Sequence, residues 1–408
     1  MRDTHEPSAA STDITVAENG QVFGEKHHPD DEPYRLNAKE WIVGRFNWSW
    51  FTCTQSTGGV AIVLSECPKQ FDGLHTIGAI VFIFNLVLWL LFSGLVITRW
   101  IIKPAKVRAS FTQPPECFFY ASWWLSLATI IICMQKYGVP HSGPWLVVAV
   151  RICFWIYAAC TLLSSAVIFV VLSKHSVLPE IGANPAILLT AFHAMLTGTI
   201  AAAIVDGQPP DQRIPMMIAG VGYQGFGWIM GLVYLAHLIT FLLRDGLPPP
   251  RLRPGMYMLV AVAGFTILVL IGNARAAPVD YGYFAAHPMA AEELRIMATW
   301  VGIFLWVFTF WCFMMATISV CIDLFERDER GHWRMSVTYH NTWWAFVFPN
   351  IGLTVSTIFL GQELESNAIL WVGTAMVILL VVMWLFDMTM FIRTITYSLF
   401  WDSRIKLS

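Results

Sequence analysis

The segment WSWFTCTQSTGGVAIVLS (48–65) is followed, after a short loop, by LHTIGAIVFIFNLVLWLLFSGLVITRWI (74–101). Each is close to the ~20 residues that cross a bilayer. Their compositions differ. The first is interrupted by Gln55, Ser56, Thr57, Gly58 and Gly59, whereas the second is almost wholly apolar. A polar-marked span followed by an apolar one reads as a helical hairpin that goes out through the membrane and back.

The same pairing continues along the chain. Apolar runs are expected to span roughly 48–65, 74–101, 116–135, 144–172, 185–205, 214–243, 256–274, 293–325, 336–360 and 367–398. The eighth is long enough to tilt or extend beyond the bilayer. The odd spans begin near 48, 116, 185, 256 and 336, so the hairpins recur at a nearly regular interval, which suggests a ring of repeated units around a pore. The expected fold is therefore all-α and membrane-embedded, with ten helices in five hairpins. Residues 1–42 read as a disordered cytoplasmic tail with no removable signal segment, 43–400 as the ten-helix membrane domain, and 401–408 as a short cytoplasmic tail.

Composition agrees. Of 408 residues, 56% are hydrophobic and 13% charged, against about 25% charged in soluble proteins. This excludes a soluble enzyme and a disordered scaffold. A net charge of −2 leaves no basic excess for nucleic acid. Seven of the eight cysteines lie in or beside apolar runs, where Cys behaves as a small hydrophobe; only Cys67 is in a clear loop, and no disulfide is expected. Counting a residue near the end of a span with the loop it adjoins, nineteen of the 25 Lys and Arg fall in the tails and in the loops after even spans, five in the other loops, and Arg151 within a span. The positive-inside rule then puts both termini in the cytoplasm. The Asn47-Trp48-Ser49 sequon would face the cytoplasm and is read as a chance match.

The odd spans carry polar stripes. Ser122, Ser126 and Thr129 share one helical face, as do Thr190, His193 and Thr197. Span nine holds Thr342, Asn350, Thr354 and Thr357 around Pro349. Stripes on alternate helices suit a water-lined pathway; hydroxyls bonded back to their own helix are the competing reading.

The strings STGGVA (56–61) and YGVPHSGPW (137–145), with 198–210, 253–275 and WWAFVFPNIGL (343–353), resemble fungal malic-acid transport proteins. These are members of the tellurite-resistance/dicarboxylate transporter family, which also includes plant slow anion channels and sulfite efflux pumps. The resemblance covers most of the chain from Phe46 to about Trp401. It implies five hairpins with the odd helices lining a pore, an aromatic gate on the ninth, and a trimer with one pore per subunit. It implies transport of malate and other C4-dicarboxylates across the plasma membrane. Alternatives within the family are an anion channel and a sulfite exporter. The string FHAML (192–196) departs from the FPVML-like family pattern, which puts the local kink and the role of His193 in question.

A charged group at the bilayer centre costs roughly 2.5–3.5 kcal/mol on insertion scales, so an anion needs partners along its path. Arg275, at the outer end of span seven, suits a bidentate carboxylate contact or a headgroup contact. Arg151, inside span four, needs a partner at its depth: substrate, or an outer acid such as Asp206. His193 is either a substrate ligand or a histidine bonded within the core. Ser56 and Thr57, beside Gly58 and Gly59, suit anion contact or close packing. For the gate, the resemblance points to Phe348, and counting of helical faces points to Phe346; either can close a pore by excluding water.

No metal-ligand spacing, phosphate loop or nucleophile motif occurs, and no cofactor is expected. The rival class is a haem or quinone electron carrier built on His193 and His237, which fall at similar depths. Expected partners are small dicarboxylates, lipid and two further copies of the chain. An inside-negative potential favours exit of each negative charge by about 2.3 kcal/mol per 100 mV, so passive movement of malate means export.

Overall fold

The structure of the chain, a computed structural model, describes residues 38–175, 184–322, 325–327, 333–335 and 339–400. Its ten principal helices are α1 (Phe51–Glu66), α2 (Leu74–Ile102), α3 (Glu116–Cys133), α4 (Pro144–Lys174), α5 (Leu189–Ile204), α6 (Pro210–Asp245), α7 (Met258–Arg275), α8 (Ala290–Cys321), α9 (Phe348–Glu363) and α10 (Asn367–Phe400). Residues 325–327 and 333–335 pair as a minimal antiparallel hairpin.

Nine segments among the described residues are long and apolar enough to cross a membrane. The exception is α1, whose 16 residues reach about 24 Å at 1.5 Å per residue. A 3₁₀ turn at Trp48–Trp50 precedes it and adds about 6 Å. Gln55 to Gly59 do not interrupt this helix; they are buried within it.

Burial divides the helices into two sets. Over their most apolar stretches, the segments containing α3, α5, α7 and α9 are 72–94% buried, whereas α2, α4, α6, α8 and α10 are 17–33% buried. α1 is buried from Phe51 to Leu64. The odd helices form a closed inner ring in the order α1, α3, α5, α7, α9 and back to α1. Each even helix covers a seam: α2 lies on α1 and α3, α4 on α3 and α5, α6 on α5 and α7, α8 on α7 and α9, and α10 on α9 and α1. The outer helices turn large apolar side chains outward, such as Ile80, Leu163, Phe304 and Leu379, as lipid contact requires.

Hairpin connectivity makes the five inner helices parallel, so their N-termini lie on one face. That face also carries Lys103, Lys106, Arg108, Arg251 and Arg253 and is called the basic face below. Four inner helices enter through 3₁₀ turns: Trp48–Trp50, Pro185–Leu188, Pro250–Tyr257 and Asn341–Phe346. Three of these turns are capped by a side chain accepting a backbone N–H. Asn47 Oδ1 accepts from Ser49 N (2.9 Å), Asn184 Oδ1 from Ala186 N (3.0 Å) and His340 Nδ1 from Thr342 N (3.2 Å). Asn47 of the sequon is thus a helix cap. Burial, with Arg251 beside it, holds the His340 imidazole below its ordinary range, the neutral form a capping acceptor needs.

Several boundaries differ from expectation. Ala38–Gly44, inside the expected 1–42 tail, is helical. Trp41 explains why: it is buried, its indole donates to Ser398 Oγ at 3.0 Å, and its ring meets Trp50 edge-on. Residues 1–37 and 401–408 of the expected tails, and 336–338 of the ninth span, lie outside the described residues. Pro349 does not break a helix; it sits in the first turn of α9, where its missing N–H has no helical partner to lose. Cys67 is buried at the end of α1, and all eight cysteines are free thiols.

α7 and α9 cross at Gly264 and Gly352. A Cβ at Gly264 would lie 2.8 Å from Leu353 N, and one at Gly352 would lie 2.9 Å from Phe265 N. Gly264→Ala is expected to push the two helices apart, costing about 1–3 kcal/mol and lowering the melting temperature of the detergent-purified protein. Gly94→Ala, at an open position on α2, is expected to leave it unchanged; equal melting temperatures for the two variants would refute the tight crossing.

Candidate functional site

The inner ring encloses a pocket at its basic end to which all five hairpins contribute. α1 supplies Thr52 and Gln55, α3 Phe119, α5 Leu189 and Phe192, and α7 Met258 and Ala261. The turn leading into α9 supplies Asn341, Thr342 and Ala345, and α9 itself Phe348 and Pro349. The open space is about 10 Å³, room for about one water and far too little for a four-carbon diacid. The axis is closed in this arrangement.

Phe348 is 4% exposed. Its ring packs on Phe265 of α7 with centroids 5.5 Å apart and faces the flat backbone at Gly59, where an added Cβ would lie 3.4 Å from the ring. Gly59 therefore leaves space on α1 for the aromatic ring and for Ile351 below it. Phe346 lies elsewhere, against Tyr257 and Trp343 with centroids at 5.0 and 5.6 Å. Of the two aromatic candidates, Phe348 is the one on the axis.

No side chain lining the pocket is charged. Its polar groups are Thr52, Gln55, Asn341 and Thr342, and the Gln55 side-chain oxygen is buried without a hydrogen-bond partner. The inner helices also point their N-termini toward this end. A helix N-terminus carries roughly half a positive charge and favours an anion. The arrangement thus attracts negative charge without a fixed cation.

The polar stripes point mainly into seams between helices. Ser126 Oγ meets Thr54 Oγ1 at 2.7 Å and donates to Phe51 O at 3.1 Å, joining α3 to α1. Thr129 donates to Ser126 O and abuts Gly58. Thr190 donates to Ile187 O and meets Tyr234 of α6, while Tyr157 of α4 donates to the His193 carbonyl at 2.7 Å. His193 Nδ1 lies 3.2 Å from Leu189 O, and its ring faces Tyr120 of α3. Of this stripe, Thr190 meets an outer helix, whereas the His193 ring lies against the inner helix α3. His237 instead lies against Phe241 on its own helix.

The remaining candidates divide similarly. Ser56 donates to Trp344 O (3.3 Å), tying α1 to the turn before α9. Thr57 donates to Cys53 O and accepts from the Trp384 indole of α10 at 3.0 Å. Asn350 Nδ2 donates to Phe346 O, and its oxygen is buried without a partner. Thr354 bonds back to Asn350 O. Ser122 and Thr197 are buried hydroxyls with no hydrogen-bond partner among the described residues.

Arg275 is fully engaged at the far end of the ring. Its Nε pairs with Glu363 at 2.5 Å, Nη1 donates to Gln362 Oε1 at 2.7 Å, Nη2 donates to Phe359 O at 3.0 Å, and its guanidinium lies over the Phe359 ring. Arg295 of α8 takes the other oxygen of Glu363 at 2.7 Å. The cluster ties α7, α8 and α9 together, and Glu292 and Glu365 also act on Arg295 there. Asp206 does not pair with Arg151; it pairs with Arg213, which also donates to the Asp206 and Gln208 carbonyls. Arg151 is half-buried on α4, with no hydrogen bond or ion pair among the described residues.

The family model described as a voltage-dependent anion channel, SLAC1, matches residues 45–393. The chain belongs to the SLAC1 family. The malic acid transport protein of Schizosaccharomyces pombe is 33% identical over 349 residues, covering 85% of this chain and 78% of that protein. The sulfite efflux pump SSU1 of Trichophyton rubrum is 26% identical over 88% of this chain and 94% of its own length. An uncharacterized transporter of Methanocaldococcus jannaschii is 22% identical over 84% of this chain. The matched region spans all five hairpins, so the SLAC1 likeness covers the whole ring.

Sequence reasoning missed Thr52, Phe119, Leu189, Phe192, Met258, Ala261 and Asn341. They lie in the first turns of the inner helices, or just before them, and most are apolar, so polarity does not mark them. A common position at the N-terminal end of every second span was the available signal.

Phe348→Ala is expected to raise anion flux in proteoliposomes severalfold, because it removes the ring that closes the axis, and Phe346→Ala is expected to leave flux near wild type. The reverse ranking would reassign the gate. Arg275→Gln is expected to lower thermal stability by about 1–3 kcal/mol, since it leaves Glu363 with one partner, with a smaller effect on flux per folded molecule. Normal stability with abolished flux would instead make Arg275 a substrate ligand.

Proposed function

We propose that the chain transports C4-dicarboxylates, malate foremost and succinate and fumarate with it, along the axis of its inner ring. The observation that carries this reading is the axial pocket itself. Five parallel helices direct their N-termini to one enclosed, charge-free chamber closed by Phe348, in a chain 33% identical to a malic acid transport protein. The lining suits flexible carboxylates held by amides and hydroxyls. No enzymatic step is part of this reading.

The basic face is then cytoplasmic, α1 with its 3₁₀ turn makes the tenth crossing, both termini are cytoplasmic, and the membrane is the plasma membrane. The apolar outer helices meet lipid and two further copies in a homotrimer, one pathway per subunit. The charge-free lining fits the direction of flow. A dicarboxylate entering from the cytoplasm is moved outward by about 2.3 kcal/mol per negative charge at 100 mV, so the chamber needs only to offset lost hydration. Ser122, Thr197 and Asn350, buried with unpaired oxygens, are the polar groups available to line the axis once Phe348 moves aside; Arg151 remains a second candidate contact. A smaller inorganic anion is the alternative cargo, supported by the sulfite efflux pump relatives.

Reconstituted vesicles with the potential clamped separate the two. Malate, succinate and fumarate are expected to move and to compete with one another, with nitrate and chloride slower. Rapid sulfite or nitrate flux with no malate flux would replace this reading by the alternative.

A further inference from the structure

The longest outer helix facing the α1–α9 seam, α10, holds a carboxyl group that neither the pocket nor the helix contacts account for. Asp387 is fully buried, the only buried aspartate among the described residues. Both of its oxygens lack a hydrogen-bond partner. It is enclosed where α10 packs on α1 and on the turn leading into α9. The groups facing it are the Cys53 thiol of α1 and the Tyr339 phenol. The Trp344 indole lies beside that phenol. The Tyr339 oxygen and the Trp344 nitrogen are themselves buried without a formed hydrogen bond. The carboxyl thus shares a low-solvent region with the Tyr339 phenol and the Trp344 indole.

No cation among the described residues is bonded to it. Arg99, the nearest arginine of α2 on this face, is committed to Glu116 at 2.6 Å. Arg393, further along α10, is exposed. His340 is turned to Thr342, and α9 carries no titratable side chain before Glu363 at its far end. An unpaired carboxylate enclosed in a membrane protein is costly. A neutral carboxylic acid is compatible with the site, because it has one proton to donate and oxygens to accept from Tyr339 and Trp344.

The site lies directly behind the wall of the axial pocket. Cys53 adjoins Thr52 and Trp344 adjoins Ala345, and both Thr52 and Ala345 line the pocket. Ser56 bonds the Trp344 carbonyl, and Trp384, one turn before Asp387, bonds Thr57. A charge appearing on Asp387 therefore acts on the two segments that shape the chamber, and it has the same sign as the cargo.

We propose that Asp387 is a proton-binding site: it holds a proton in the transporting protein, and loss of that proton lowers anion flux. The consequence for flux rests on the axial pocket being the anion path; the proton site itself does not. Rising pH then reduces transport in two ways, by placing a negative charge behind the chamber and by drawing Tyr339 and Trp344 toward it.

Infrared titration and transport test the two parts separately. In purified full-length protein carrying ¹³C-labelled aspartate, a protonated-carboxyl stretch is expected near neutral pH. It should shift with the label, be absent in Asp387→Asn and fade as pH rises. In proteoliposomes, wild-type malate flux is expected to fall severalfold over that titration, while Asp387→Asn, an uncharged isostere, changes by less than about twofold. Two results overturn the proposal: no aspartic-acid band in the wild-type protein at any pH at which it stays folded, or an Asp387→Asn flux profile that follows wild type. The labelled wild-type measurement decides the matter even where the variant folds poorly. If the band is present and titrates but neither protein moves any anion, the proton site stands and the transport reading fails.

Discussion

Everything in this molecule depends on enclosing polar helices where water is absent. Inside a bilayer an exposed hydroxyl, amide or glycine-thinned backbone has no solvent to bond. α1 is the extreme case: it carries Thr52, Thr54, Gln55, Ser56, Thr57 and two glycines, and it is buried from Phe51 to Leu64. It is the second ring of apolar helices that makes such a helix tolerable. Each outer helix lies over a seam and supplies either cover or a hydrogen bond, as when Trp384 of α10 meets Thr57 and Trp306 of α8 meets Thr357. A single ring of five such helices would expose these groups to lipid. The hairpin solves the covering problem locally, since each inner helix is followed at once by an apolar one.

Small residues then set how tightly the inner ring closes. Gly58 receives Thr129, Gly59 receives Phe348 and Ile351, and Gly264 meets Gly352 backbone to backbone. Glycine in a helix interior costs helix propensity, a cost repaid here by approach distances that no side chain permits. Beside the Phe348 ring, an added Cβ at Gly59 would strike Ile351 Cδ1, so this glycine sets how closely α1 and α9 approach.

Chain length, run length and polarity were enough to read the all-α class, the hairpin order and the alternation of inner and outer helices. The direction in which each hydroxyl points was not legible. Thr129 and Thr190 occupy positions that would suit a wet pathway, yet their donors go to the carbonyls of Ser126 and Ile187. A Ser or Thr in a helix always has that option, and nothing in a single span reveals which neighbour lies across from it. Arg275 shows the same limit for charge: its partners Gln362, Glu363 and Phe359 lie more than eighty residues away. Phe348 comes from the family resemblance, whereas counting helical faces favours Phe346; that count assumes one continuous helix, and the chain passes from a 3₁₀ turn into the α-helix between them. Phe119 and Phe192 were not legible, since an apolar residue facing the axis resembles any core residue. Asp387 was not singled out either, although an acid inside an otherwise apolar span is a signal of function.

The chamber's lack of fixed charge is itself informative. An arginine facing the axis would bind a dicarboxylate firmly through paired hydrogen bonds, and firm binding slows release from a conduit. Helix N-termini, amides and hydroxyls offer weaker attraction distributed over several groups. Arg275 shares Glu363 with Arg295, which is 51% exposed and screened by water. Arg99, Arg213, Arg275 and Arg295 are thus engaged by acids, Arg151 has no such partner among the described residues, and the pocket's attraction for an anion comes from backbone and neutral side chains. Selectivity built in this way depends on how well the cargo's shape matches the ring at Phe348 and, on the role proposed for Asp387, on the charge behind the wall.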